Sequence, residues 1–314
     1  MKSTRIVLVA ALSLGLVALA APAHAAPPAL PAGEHLVATT CDSETFPDLG
    51  LFEVDAATGT STQLASADGA YCGYQGGWDR VTHKFYFTTW DASFSVLHSY
   101  DPATNSVTTI GDITAGDEAP NVYSLVVSLD GKGYFVEYDD LYSIDLTTGA
   151  ATYLGDLEFE DSAWGFAVDP TSGLLYLLTE GGELYTVDPA AVTATGVANW
   201  SFSEGASYTY GLAIDSNGTA WVVEYPGDEA YSALWSTPLA TFGTTVELSG
   251  NITIGETGDD YEGWWVAIIG EPAPAPAPEP VLAATGVDVT PFAAGGLLLL
   301  AAGGVLLARR SRQA

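Results

Sequence analysis

Carboxylates dominate the residues of this chain that could do chemistry. Glu137, Asp139, Asp140, Glu160, Asp161, Glu180, Glu183, Asp260 and Glu262 all fall in stretches that read as loops. Two such groups about 5–9 Å apart would suit acid and base work on a glycosidic bond. Crowded carboxylates also repel one another, and a bound calcium ion relieves that repulsion. The stretch DDYE (259–262) makes Asp259 and Asp260 the candidate metal contacts. Other chemistries lack their parts. His35, His83 and His98 have no obvious Ser or Cys partner in the loops. There is no zinc-type His/Cys cluster and no glycine-rich phosphate loop after a strand.

A second set is aromatic. YQGGW (74–78), YSLVV (123–127), WGFAV (164–168), YGLAI (210–214) and EGWWV (262–266) are five similar segments. They open on Tyr74, Tyr123, Trp164, Tyr210 and Glu262. Rings gathered at a channel mouth would stack on a sugar or a cation. The same rings would equally serve to pack neighbouring sheets together.

These segments must be positioned by a repeated element, and the chain contains one. GLFEVDAATGTSTQL (50–64), VLHSYDPATNSVTTI (96–110), DLYSIDLTTGAATYL (140–154) and ELYTVDPAAVTATGV (183–197) are copies, with ALWSTPLATFGTTVEL (233–248) a degraded fifth. Asp55, Asp101, Asp145 and Asp188 mark a step of 46, 44 and 43 residues. A period near 45 without helical patterning points to four-stranded propeller blades. Two strands joined by a Gly- or Asn-bearing turn precede the later copies. The first copy lacks its innermost strand, and GWWVAIIG (263–270) at the far end supplies one. The expectation is an all-β, five-bladed propeller over 34–270, with the C-terminal strand closing the first blade. The repeats resemble those of secreted bacterial propellers related to the quinoprotein and WD-repeat types. That likeness implies an architecture and no activity. The Asp-x-x-Thr-Gly segments read as capped tight turns. The stretch from Asp169 to Glu180 lacks the glycine spacing of a calcium-binding EF loop.

In such a blade one face carries short uniform turns and the other carries long loops, where function usually sits. About 25 of the 39 carboxylates fall in the long-loop set, while Arg80, Lys84 and Lys132 fall on the short-turn side. Cys41 and Cys72 land on the long-loop face in neighbouring blades, which suggests one disulfide in an exported chain.

The ends concern placement. MKSTR, an apolar run and APAHA have the form of a cleaved secretory signal over 1–26. A Pro/Ala-rich linker (271–281) leads to Leu282, Ala283, Ala284, Thr285 and Gly286. An apolar segment (289–308), the expected transmembrane helix, and a basic tail (309–314) follow. Together these parts resemble the sorting signal of Gram-positive surface proteins, in the Leu-Ala-x-Thr-Gly variant of high-GC actinobacteria. Ala283 stands where Pro is commoner. The resemblance implies that a sortase cuts after Thr285 and joins the chain to peptidoglycan, giving an extracellular, cell-wall-anchored protein whose precursor sits in the plasma membrane. Before that cut, the membrane is met only through the C-terminal helix.

Between those ends lie three basic side chains and 38 carboxylates, the 39 of the whole chain less Asp288. A body so acidic repels nucleic acid and anionic lipid. The expected function is non-catalytic binding or display through the acidic, aromatic-lined face, toward a glycan, a cation or a protein. The alternative is a propeller glycoside hydrolase with paired carboxylates near the channel mouth. No cofactor is required by either reading, and calcium fits both.

Overall fold

A computed structural model describes residues 28–39, 49–67, 72–90, 94–159, 161–200, 208–225, 232–243, 247–254, 259–260 and 265–271. The expected signal peptide, the linker beyond Glu271, the sorting motif and the apolar tail lie outside them, as do Cys41, Glu160 and Glu262. Among the described residues no helix is long and apolar enough to cross a membrane.

Five antiparallel blades form the ring. Blade 1 runs outward as Trp265–Gly270, Glu34–Thr39, Leu49–Val54 and Thr60–Ala67. Blade 2 holds Cys72–Gly73 with Gly77–Asp79, then Lys84–Trp90, Ser95–Asp101 and Ser106–Asp112. Blade 3 holds Leu125–Val127, Gly133–Glu137, Asp140–Ile144 and Ala151–Asp156. Blade 4 holds Ala163–Val168, Leu175–Thr179, Glu183–Asp188 and Thr193–Asn199. Blade 5 holds Tyr208–Ile214, Thr219–Tyr225, Ser232–Pro238 and Glu247–Ile254.

The expected closure is present. Leu36 pairs with Ile268, Val37 with Ala267 and Thr39 with Trp265. Strand alternation explains the packing, since successive side chains point to opposite faces. Leu36 and Ala38 enter the core toward blade 5 with Trp221 and Val266. Val37, between them, enters the core toward blade 2 with Phe85, Phe87 and Ala267. Three further clusters fill the remaining seams, around Phe135, Phe166 and Leu212. The apolar runs of the inner strands are therefore covered on both sides.

The turn chemistry follows the residues. Asp55, Asp101, Asp145 and Asp188 each accept the backbone N–H two positions on, at 2.8–2.9 Å. The same turns end in left-handed residues: Gly59, Asn105, Gly149 and Val192. Asp169 is used likewise, accepting Thr171 N–H and the Ser172 hydroxyl. The degraded fifth copy lacks the Asp-x-x-Thr-Gly pattern. A 3-10 turn, Leu239–Thr241, replaces the capped turn there, and Phe242 packs on Trp200.

The rim holds a feature beyond the expectation. The outer strands of blades 5 and 1 pair in parallel at Thr253↔Thr60 and Ile254↔Ser61, so the two blades share one continuous sheet. Thr114, leaving blade 2, pairs in the same sense with Ala150 of blade 3. Each contact covers some of an edge that would otherwise offer unpaired backbone groups.

Candidate functional site

The innermost strands run from the long-loop face toward the short-turn face. Threonine hydroxyls tie the starts of these strands to their neighbours. Thr39 donates to the Tyr74 carbonyl at 3.1 Å. Thr88 donates to the carbonyl of Val122, next to Tyr123, at 3.0 Å. Thr209, next to Tyr210, donates to the Thr179 carbonyl at 2.7 Å.

The four aromatic residues expected at the channel mouth come together. Ring centroids lie 5.2 Å apart for Tyr74 and Tyr123, 5.3 Å for Tyr123 and Trp164, and 5.0 Å for Trp164 and Tyr210. Trp265 completes the circuit, 5.6 Å from Tyr210 and 4.9 Å from Tyr74. Glu262 lies outside the described residues, and the ring standing with the other four belongs to Trp265, three residues further on. Each blade contributes one ring. Neighbouring rings touch, so no ligand fits between them. A ligand meets only the surfaces of Tyr123, Trp164 and Tyr210 that stay partly exposed. Burial pushes the Tyr74 hydroxyl up to about 12, with Tyr123 adding to the shift. The indole N–H groups of Trp164 and Trp265 are buried without a hydrogen-bond partner. An orphaned buried donor is costly and unusual.

Directly below, Gln75 crosses the axis at 1% exposure. Its amide nitrogen donates to the carbonyls of Phe166, at 3.0 Å, and Leu212. Its amide oxygen accepts the N–H groups of Phe166 at 3.2 Å and Leu212 at 3.4 Å. Backbones crowd here. A Cβ on Gly77 would meet Val127 N at 2.4 Å, and one on Gly211 would meet Val266 N at 2.9 Å. A cavity of about 30 Å³, lined in part by Gln75, Trp78 and Arg80, lies on the axis.

Arg80, Lys132, His35 and His83 sit at the short-turn end beside acidic groups. Lys132 pairs with Asp130 at 2.6 Å, and Arg80 stands 4.0 Å from buried Glu34. Glu34 is held by Ser216 N–H at 3.0 Å, and its carboxyl is raised chiefly by burial. His83 lies 3.5 Å from Glu271, and His35 lies 2.6 Å from Glu53. His98 is buried between the hydroxyls of Thr89 and Thr109 and stacks on Phe87.

Two of the described carboxylates of the other end, Glu137 and Asp161, are tied to loop backbone. Glu137 accepts Asn121 N–H at 2.8 Å. Asp161 accepts the N–H groups of Ser162 and Gly181. Burial, with Asp161 nearby, raises the Glu180 carboxyl. Several of these residues sit on strand ends rather than in long loops, because Tyr138–Asp139 alone joins two strands of blade 3. Asp259 and Asp260 form a short strand paired with Ile254 and Thr253. Among the described residues no three His, Cys, Asp or Glu side chains gather as a metal site. Cys72 has no free thiol.

No family model and no curated protein matches this chain. Solved structures do resemble it. A chain of the Nidogen/Laminin complex is 12% identical, covering 76% of this chain and 98% of its own, at a TM-score of 0.49. TolB from Acinetobacter baumannii is 14% identical, covering 71% and 54%, at 0.43. AztD from Citrobacter koseri is 12% identical, covering 77% and 61%, at 0.36. At such identities the likeness concerns the fold alone, and no ligand or reaction passes from these proteins to this one.

Two features of the axis escaped the sequence reading. Trp265 was hidden by its twin Trp264 in a segment whose register one sequence does not settle. Gln75 carried only the signal of being the one long polar residue at a position otherwise small or apolar.

Proposed function

We propose that this chain is an exported, wall-linked propeller that binds a ligand on its acidic, aromatic face and catalyses no reaction. The observation that carries the reading is the five-ring circuit of Tyr74, Tyr123, Trp164, Tyr210 and Trp265, on which Tyr123, Trp164 and Tyr210 stay partly exposed. Exposed aromatic faces suit a glycan, and the surrounding acids suit a cationic group or a basic protein surface. Placement rests on the signal-like N-terminus and on Leu282–Gly286 as the sortase motif, with peptidoglycan as the attachment and calcium as an optional occupant near 259–262. The Cys41–Cys72 bridge belongs to the same reading. A glycan array run beside a polysaccharide-hydrolysis screen tests it. Binding without release of reducing ends is expected, and released reducing ends would favour the glycosidase.

A further inference from the structure

A groove of about 560 Å³ lies on the rim of blade 3, away from the axial rings. One wall is the segment that leaves blade 2. Ala151 N–H donates to the Thr114 carbonyl at 2.8 Å, and the segment then turns back on itself where Ala115 N–H meets the Glu118 carbonyl at 2.9 Å. The floor is built by the two outer strands of blade 3. A register shift at Leu141/Tyr142 sets Tyr142 opposite Tyr153 and Asp140 opposite Asp156.

The floor has two chemical halves. Tyr142 is buried on Phe135, with ring centroids 4.8 Å apart. Tyr153 stands edge-on to it at 5.5 Å and leaves half of its surface, 50%, to solvent. Its hydroxyl donates to Asp156, which fixes the ring. Beside this platform lies the Asp140–Asp156 pair. Like charges directly opposite on neighbouring strands destabilise a sheet. Burial first, then Asp156, pushes the Asp140 carboxyl up to about 6. The pair therefore gains from any ligand that donates hydrogen bonds to it.

The occupant must satisfy both halves. An anion is repelled by Glu118, Asp140 and Asp156. A metal cation alone would leave the aromatic platform uncovered, and no third ligand side chain joins the two carboxylates among the described residues. A sugar ring offers an apolar C–H face for Tyr153 and neighbouring hydroxyls for the carboxylates. We propose that the blade 3 rim groove is a binding site for a neutral sugar, stacked on Tyr153 and donating hydroxyl hydrogen bonds to Asp140 and Asp156. This site does not rest on the axial circuit, and the two can fail separately.

The test is saturation-transfer NMR on the full-length chain at pH 7.5, with cellobiose, lactose, chitobiose and methyl α-mannoside as probes. Saturation should reach the ring protons of at least one probe. Tyr153→Ala should weaken that probe at least tenfold, while Tyr153→Phe, which keeps the platform, should weaken it less. Far-UV circular dichroism checks that both variants fold. Three results would overturn the site: no transfer to any probe, transfer undiminished in Tyr153→Ala, or binding abolished by EDTA. Loss of binding in Trp164→Phe with full binding in Tyr153→Ala would also overturn it, by moving the sugar to the axis.

Discussion

Gln75 and Phe166, 91 residues apart in the chain, meet on the propeller axis through two hydrogen bonds of 3.0 and 3.2 Å. The same carboxamide serves Leu212 in the same two ways. One side chain from blade 2 thus joins the inner strands of blades 4 and 5. Gln75→Leu keeps the approximate volume and removes every one of these bonds. It leaves the backbone groups of Phe166 and Leu212 buried without that partner, so a loss of roughly 2–4 kcal/mol is expected. Urea unfolding of the variant beside the parent measures it, and a loss under 0.5 kcal/mol would contradict the clamp.

His98 makes the fold sensitive to acid. Burial holds its imidazole down to about 4, against an ordinary 6.5. The unfolded chain therefore takes up a proton below about 6.5 that the folded chain refuses until about 4. Stability is full above pH 6.5 and falls as the pH drops through that window, by up to about 3 kcal/mol. His98→Gln should flatten the melting curve against pH between 6.5 and 4. An unchanged slope would show that His98 is not the group responsible.

Asp140 acts in the opposite direction. Its carboxyl is raised from 3.8 to about 6, so the folded chain keeps a proton that the unfolded chain has lost. That contribution is present below about 3.8 and is gone above about 6. The groups around it are Asp156, Asp139 and Glu137, with Tyr142, Tyr153 and Glu118 in the same groove. Asp156→Asn keeps an acceptor for Tyr153 and removes the opposing charge. It should stabilise the protein at pH 7.5 by roughly 0.2–1 kcal/mol and have little effect at pH 3.5. Thermal melts at the two values check both halves.

How legible was this molecule beforehand? Asp55, Asp101, Asp145 and Asp188 announced the blades because a capped turn needs an Asp and a left-handed residue at fixed spacing, whatever packs around it. The closing strand was legible for a similar reason: an apolar segment was missing at one end and spare at the other. Trp265 was not placed, because Trp264 and Trp265 differ only in register, and register is decided by pairing with Glu34–Thr39 far away in the chain. The blade 3 groove was illegible. The bulge at Leu141/Tyr142 recurs after Leu51, Leu97, Leu184 and Leu234 in the other blades. The wall that makes a groove here is the segment from Thr114 to Glu118 folded against Ala150 and Ala151, and no local pattern signals that.

The proposed Cys41–Cys72 bridge closes a loop of about 30 residues between blades 1 and 2. Cys72→Ser should cost roughly 3–4 kcal/mol. Mass spectrometry under non-reducing conditions should show the parent two mass units lighter than its reduced form. A parent without that deficit would rule the bridge out.

Thr285 decides the proposed attachment. In a host with the matching sortase, Thr285→Ala should move the protein from the wall fraction to the membrane fraction. Wall linkage at the parental level in that variant would refute the motif.

Glu34 and Gly270 face each other as the first pair of the closing seam. Because Gly270 is at the end of the seam, a pull applied there and directed across the strands loads the seam from that end. Its hydrogen bonds would then break singly and in order, as in a zipper, and not all together as in shear. Under such a pull the strand that completes the propeller is the part loaded first, and the wheel opens between blade 1's own two inner strands.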